Sequence, residues 1–202
     1  MKKNGKSTRE KILEETKALV LQNGYVGTTI DQILDKTNIT KGAFFYHFKS
    51  KSELAYVLME EYVKEDLAEL DKALEISHSQ KTHPFERLIC FVEFFIKTME
   101  GIKEPPPGCL YASYGYENIH FSDDIKQLIA RSILKWRQAI EKLLDEVSAK
   151  KTANMEFDKI SLADMFVVLF EGSFVVSRAL NEPDLTAKQL KNYRDYLKLL
   201  FT

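Results

Sequence analysis

"TKGAFFYHFKSKSEL" runs from Thr40 to Leu54, and places three Phe, a Tyr and a His in the five positions Phe44 to Phe48, with Lys41 before them and Lys49 and Lys51 after. A core segment rarely carries so many lysines, and a solvated face rarely carries so many rings. The flanks supply the context. "TIDQ" (Thr29 to Gln32) is a capping box that opens a short helix with Ile30, Ile33 and Leu34. "KTNIT" (Lys36 to Thr40) reads as a tight turn in which Asn38 supplies a left-handed conformation. "SKSE" (Ser50 to Glu53) is a further box, opening a long helix expected to reach about Glu75.

Upstream, "STRE" (Ser7 to Glu10) starts a helix whose Ile12, Leu13, Thr16, Leu19 and Val20 recur at helical spacing, and "NGYVGT" stops it at Gly24. Two of these helices, Ile30 to Asp35 and Lys41 to Phe48, are too short to persist without packing. Their spacing is that of a helix-turn-helix. In that motif the second helix enters the major groove while its neighbours grip phosphates. Thr40, Lys41, Gly42 and Ala43 then form the turn that faces base edges, with Lys41 able to donate to guanine and Ala43 to touch a thymine methyl. Thr29, Lys49 and Lys51 fall where phosphates pass. Phe44 and Phe48 point inward against Ile12, Leu19, Ile30 and Ile33.

Those residues carry a resemblance. Residues 8–58, with the Gly24-Tyr25 helix end, the "TTI-x-x-I" of Thr28 to Ile33 and the "G-x-x-x-YHF-x-x-K" of Gly42 to Lys51, resemble the DNA-binding domain of the TetR family of transcriptional regulators. About a quarter of the chain carries the match, and the rest resembles the family in length and helical architecture only. The resemblance implies DNA contacts from Thr29, Lys41, Gly42, Phe45, Tyr46, His47 and Lys51. One position departs from the pattern: the residue before the Tyr-His pair is commonly Tyr and here is Phe45, which removes a hydroxyl-to-phosphate bond and leaves a ring for a thymine methyl.

Charge is shared unevenly along the 202 residues. Residues 1–51 hold ten Lys and Arg against five Asp and Glu, whereas the remainder holds nineteen against twenty-five. A basic head on an acidic body fits a chain that meets a polyanion at one end. The two cysteines, Cys90 and Cys109, are too few for a disulfide framework and fit the cytosol. The charged N-terminus does not read as a signal peptide, and no run of about 18 apolar residues argues for a membrane span.

Beyond Ile76, "SHSQKTHP" reads as a polar connector with Pro84 at a first helical position. A ring-rich helix to Glu100 follows, then "GIKEPPPG", a short "CLYASYGYE" helix, a long amphipathic helix from Ser122 to about Ala149, an apolar helix from about Ser161 to Leu180, and a last helix opened by a box at Thr186 to Gln189. The expectation is an all-α chain with a helix-turn-helix DNA-binding domain over residues 1–52 and a helical ligand-binding and dimerisation domain over 53–202.

Since one recognition helix reads few base pairs, such heads work in pairs on pseudo-palindromic sites. The expected homodimer face uses Phe174, Ser177, Leu190, Tyr193 and Leu197 of the last two helices, a four-helix arrangement that the resemblance also implies. The expected pocket for a small effector, its identity unknown, draws on Phe91, Phe95, Met99, Cys109, Tyr111, Tyr114, Trp136, Phe170, Glu171 and Phe174. Effector binding there and release of DNA are implied by the resemblance. Cys109, after "PPPG" at a helix start, is also weighed as a thiol sensor against a plain buried residue. A helical enzyme finds no support: His47, His78, His83 and His120 lack metal-ligand spacing, and neither a nucleophile elbow nor a phosphate loop is present. No cofactor or metal is expected. A dimeric adaptor that docks its basic head on an acidic protein is the remaining alternative, and salt-insensitive DNA binding would favour it.

Overall fold

The computed structural model describes residues 7–202, which form nine α-helices and one 3-10 turn with no strand among them. In order these are α1 Thr8–Asn23, α2 Ile30–Thr37, α3 Lys41–His47, α4 Lys51–Gln80, α5 Pro84–Met99, α6 Leu110–Tyr116, the turn Asn118–His120, α7 Asp123–Ser148, α8 Lys159–Leu180 and α9 Leu185–Phe201. The chain is all-α, as its periodicity predicts.

Local chemistry sets the helix ends. Ser7 and Thr29 both close reciprocal boxes, with Glu10 and Gln32 returning to the cap N–H. Asn38 ends α2 in the left-handed region at φ 53°. At α4 the box is shifted: Glu53 N–H donates to Ser50 Oγ, but the Glu53 carboxylate accepts from Lys49 N–H. Two expected boundaries move. The helix α4 continues through "SHSQ" to Gln80, with Ser77 buried, its Oγ donating to the Leu74 carbonyl, and His78 Nδ1 2.8 Å from the same oxygen. The helix α9 starts at Leu185 with Asp184 as its N-cap, two residues earlier than a box at Thr186 implies, and the Thr186 hydroxyl accepts from Ser173 in α8 rather than capping its own helix.

The chain divides into two compact units, one of residues up to Lys64 with Gly108–Ile129, the other Glu65–Pro107 with Ala130–Thr202. The division into units by packing does not follow the chain order used for residues 1–52 and 53–202, because helix ends and distant segments pack together. The first turns of α4 are buried at Leu54, Ala55, Leu58 and Met59, and the short α6 cannot bury its rings alone. Tyr114 stacks on Phe121 at 4.1 Å, Tyr25 meets Phe121 at 4.5 Å, and Tyr114 Oη donates to the Ala55 carbonyl.

In the second unit the core joins Leu88, Phe91, Val92 and Phe95 of α5, Trp136, Ile140 and Leu144 of α7, Phe166 of α8 and Leu190, Tyr193, Leu197 and Leu200 of α9. Three side chains expected at a dimer face, Leu190, Tyr193 and Leu197, are therefore fully covered by their own chain. Ser177 is covered as well, donating to the Glu182 carbonyl, and Phe174 is nearly so. The i, i+3, i+7 spacing on α9 marks an apolar face but not what covers it. Four apolar side chains left in solvent share one stripe of α8, Met165, Val168, Val175 and Val176, with Gly172 open among them, whereas α9 exposes Leu199 alone among its large apolar residues. By length and composition alone α8 is apolar enough to cross a membrane, although Asp164, Glu171 and Arg178 interrupt its apolar run, as a core helix of this kind also allows. Its opposite face holds Leu162, Phe166 and Phe174 inside the unit, and its Asp164 accepts a two-pronged bond from Arg137 of α7.

Candidate nucleic-acid interface

The recognition segment sorts its rings as the Lys-flanked pattern requires. Phe44 and Phe48 are sealed with Ile12 and Ile33, while Phe45 is 41% and Tyr46 85% exposed. Helical geometry explains the split, because residues four apart share a face and the intervening ones do not. Arg9 lies over the Phe48 ring at 5.7 Å, and Lys11 Nζ donates to the Thr37 carbonyl, tying α1 to the end of α2.

Thr40 caps α3 by accepting from Ala43 N–H, so its hydroxyl serves the helix start. Lys41, Gly42, Phe45, Tyr46 and Lys49 are exposed, and Ala43 and His47 partly so. The space around Gly42 is open: a Cβ there would meet nothing nearer than Thr40 Oγ1 at 3.9 Å. His47 and Tyr46 meet edge-on at 5.0 Å. Thr29 is exposed at the start of α2, with its hydroxyl accepting from Gln32 N–H.

Lys51 behaves differently from a solvated phosphate ligand. Its ammonium donates to the Tyr25 carbonyl at 2.5 Å and lies 4.1 Å above the Tyr25 ring. Burial holds its pKa below the usual lysine range, opposed by the charge of Glu117. Glu117 accepts from Val26 N–H at 2.8 Å, and a Cβ on Gly24 would lie 2.3 Å from its other carboxylate oxygen. Gly24 sits at φ 77°, so both the backbone and the space demand glycine. The sequence reading places Tyr114 around an effector and does not foresee that Glu117, Tyr114 and Phe121 lie beneath this turn; 91 positions separate Val26 from Glu117, and no local pattern signals so distant a pair.

The ten residues expected around an effector are not brought together in one unit. Cys109, Tyr111 and Tyr114 belong to the first unit, where Cys109 is buried with its Sγ 3.4 Å from Tyr62 Oη. The others lie in the second unit. There Phe95 meets Trp136 at 5.3 Å and Phe170 at 6.0 Å, Phe170 meets Phe174 at 5.1 Å, and Phe91 touches Phe95 and Trp136. Met99 packs against the same cluster and Glu171 is partly buried. Asp66, which the sequence did not single out, accepts from Trp136 Nε1 at 2.8 Å and from Ser132 Oγ at 3.2 Å. A separate groove of about 240 Å³ between α4 and α7 is lined by Leu74, Glu75, His78, Ala139, Lys142, Leu143 and Glu146, none of them anticipated.

With this geometry in hand, the likeness to known proteins is specific. Residues 12–56 match the family model for bacterial regulatory proteins of the tetR family, and residues 84–192 match the tetracyclin repressor-like C-terminal domain. The chain is 22% identical over 167 residues to the HTH-type transcriptional repressor DhaR of Mycobacterium sp. strain GP1, covering 83% of this chain and 80% of that protein. It is 44% identical over 61 residues to an HTH-type transcriptional regulator of Lactococcus lactis subsp. lactis, covering 30% and 31%. Among solved structures, a TetR transcriptional regulator of Chloroflexus aurantiacus superposes with a TM-score of 0.75 at 23% identity, over 96% of both chains.

Proposed function

We propose, on the premise that this chain belongs to the TetR family of bacterial regulatory proteins, that it is a cytoplasmic repressor. It acts as a homodimer on a pseudo-palindromic operator and releases DNA when a small molecule binds its second unit. The observation that carries this reading is the sorting of α3: Phe44 and Phe48 plug the core, so Lys41, Phe45 and Tyr46 stand outward together on a rigid seven-residue helix. In this reading Lys41, Gly42 and Ala43 approach base edges, Phe45 presses on a thymine methyl, and Tyr46, His47, Lys49, Thr29, Thr40 and Lys51 border the phosphates.

Two copies meet through the exposed stripe of α8, where Met165, Val168, Val175 and Val176 leave apolar area that a second copy would cover. Gly172 lets the backbones approach there. The effector site draws on Phe95, Met99, Trp136, Phe170 and Glu171, with Asp66 as an added polar group. Effector action is a population shift: a ligand that prefers the wrongly spaced dimer lowers operator affinity by no more than its preference between the two states.

The test is selection of bound fragments from the source genome at two salt concentrations. A pseudo-palindrome with steep salt dependence is the expected result. Weak, sequence-blind and salt-insensitive binding would overturn it in favour of a protein-docking adaptor.

A further inference from the structure

The turn between α1 and α2, Gly24 to Thr28, is held by groups from distant parts of the chain. This turn leads directly to Thr29, the exposed cap of α2, and it is gripped from two sides. On one side Lys51 Nζ holds the Tyr25 carbonyl and covers its ring. On the other, the α6–α7 segment supports it: the Tyr25 ring rests on Phe121 at 4.5 Å, and the Glu117 carboxylate accepts from Val26 N–H at 2.8 Å. Inside the turn, Thr28 is fully buried and its hydroxyl donates to the Gly24 carbonyl. Gly24 leaves the gap that the second Glu117 oxygen occupies.

We propose that Glu117 is a positioning residue for operator binding: by clasping the Gly24–Thr28 turn it sets the start of α2 and the Lys51 ammonium in the arrangement that receives the DNA phosphates. The inference rests on the operator-binding reading above. Glu117 itself touches no DNA. Its charge favours the Lys51 cation electrostatically, and its hydrogen bond is to the backbone amide two residues before Thr28. A loose turn would let Thr29 and Lys51 wander separately, and each phosphate contact would then have to be ordered at the moment of binding.

The experiment compares full-length wild type, Glu117→Ala and Glu117→Gln, well below the melting temperature of each. Two readouts are taken: affinity for a labelled duplex of the genomic fragment selected by wild type, and amide hydrogen exchange of the free protein over Gly24 to Thr29. Gln keeps an acceptor for Val26 N–H while deleting the charge. The expected result is that Glu117→Ala weakens binding roughly tenfold, the scale of one lost charge-assisted hydrogen bond. It also speeds exchange in the turn, and Glu117→Gln restores most of both. Operator affinity within about twofold of wild type in Glu117→Ala, or tighter binding, would overturn the proposal and leave Glu117 a stabilising or merely repelling charge. If wild type selects no fragment, the functional reading fails on its own. In that case unchanged exchange at Val26 in Glu117→Ala overturns the clasp independently.

Discussion

The rings of Phe44 and Phe45 meet edge-on at 5.3 Å, yet Phe44 is sealed from water and Phe45 is 41% exposed. One residue of helical rotation separates a core plug from a surface ring. The two positions should therefore fail in opposite ways when truncated. Phe44→Ala is expected to lose about 3–5 kcal/mol of stability, read by denaturant unfolding. Phe45→Ala should leave the unfolding midpoint close to wild type and weaken operator binding, read by anisotropy of a labelled duplex.

Lys41 stands exposed on α3, and Lys51 is pinned on Tyr25. Lys41→Ala should lower operator affinity with no change in stability. Lys51→Ala should lower both, because the Tyr25 carbonyl and ring lose their partner together. If Lys51 also meets a phosphate, its loss reduces the salt slope of binding by about one counterion. Titrations at several salt concentrations beside thermal melts separate the two effects.

The α8 stripe and the α9 face make a second contrast. Val168 is 65% exposed, whereas Leu197 is buried. Val168→Glu should shift dimer to monomer in sedimentation velocity while helicity is kept. Leu197→Ala should instead lose about 2–5 kcal/mol of folding stability. A dimer that tolerates Val168→Glu would remove α8 from the interface.

Trp136 is the chain's single tryptophan, so intrinsic emission reports on one site. Its indole N–H donates to Asp66. Trp136→Phe should destabilise the fold by about 1–3 kcal/mol through the carboxylate that loses a donor. In wild type, an effector that reaches the ring cluster should change the emission, and one that binds elsewhere should not.

Tyr114 and Tyr193 donate to the carbonyls of Ala55 and Leu162, and burial raises both phenol pKa values above the ordinary 10.0. A group whose folded pKa is raised contributes its stability in full below the unfolded value and loses it as pH climbs through the folded one. Stability should therefore fall above about pH 10. Tyr193→Phe should flatten that fall while losing about 1 kcal/mol at neutral pH, measured as denaturation midpoint against pH.

Much of this was readable before any coordinates. The capping boxes at Ser7 and Thr29, the left-handed Asn38 and the inward Phe44 and Phe48 all follow from rules that act within four residues. Other contacts depend on remote partners. Leu190, Tyr193 and Leu197 present an apolar face whose cover, their own core or a second chain, spacing cannot distinguish. Cys109, Tyr111 and Tyr114 follow the ring-rich α5 in sequence, yet they fall in the first unit, where they meet Tyr62 and Ala55 of α4 and Tyr25.

By itself, the sequence determined the helices, the helix-turn-helix and the outward set of Lys41, Phe45 and Tyr46, because caps, turns and helical periodicity are local physics. Only the tertiary structure decided that Lys51 is held by Tyr25, that Glu117 reaches Val26 across 91 positions, and that the free apolar stripe belongs to α8 rather than α9. Each of those depends on which surfaces the chain brings together, and burial is settled by the whole fold rather than by any one segment's pattern.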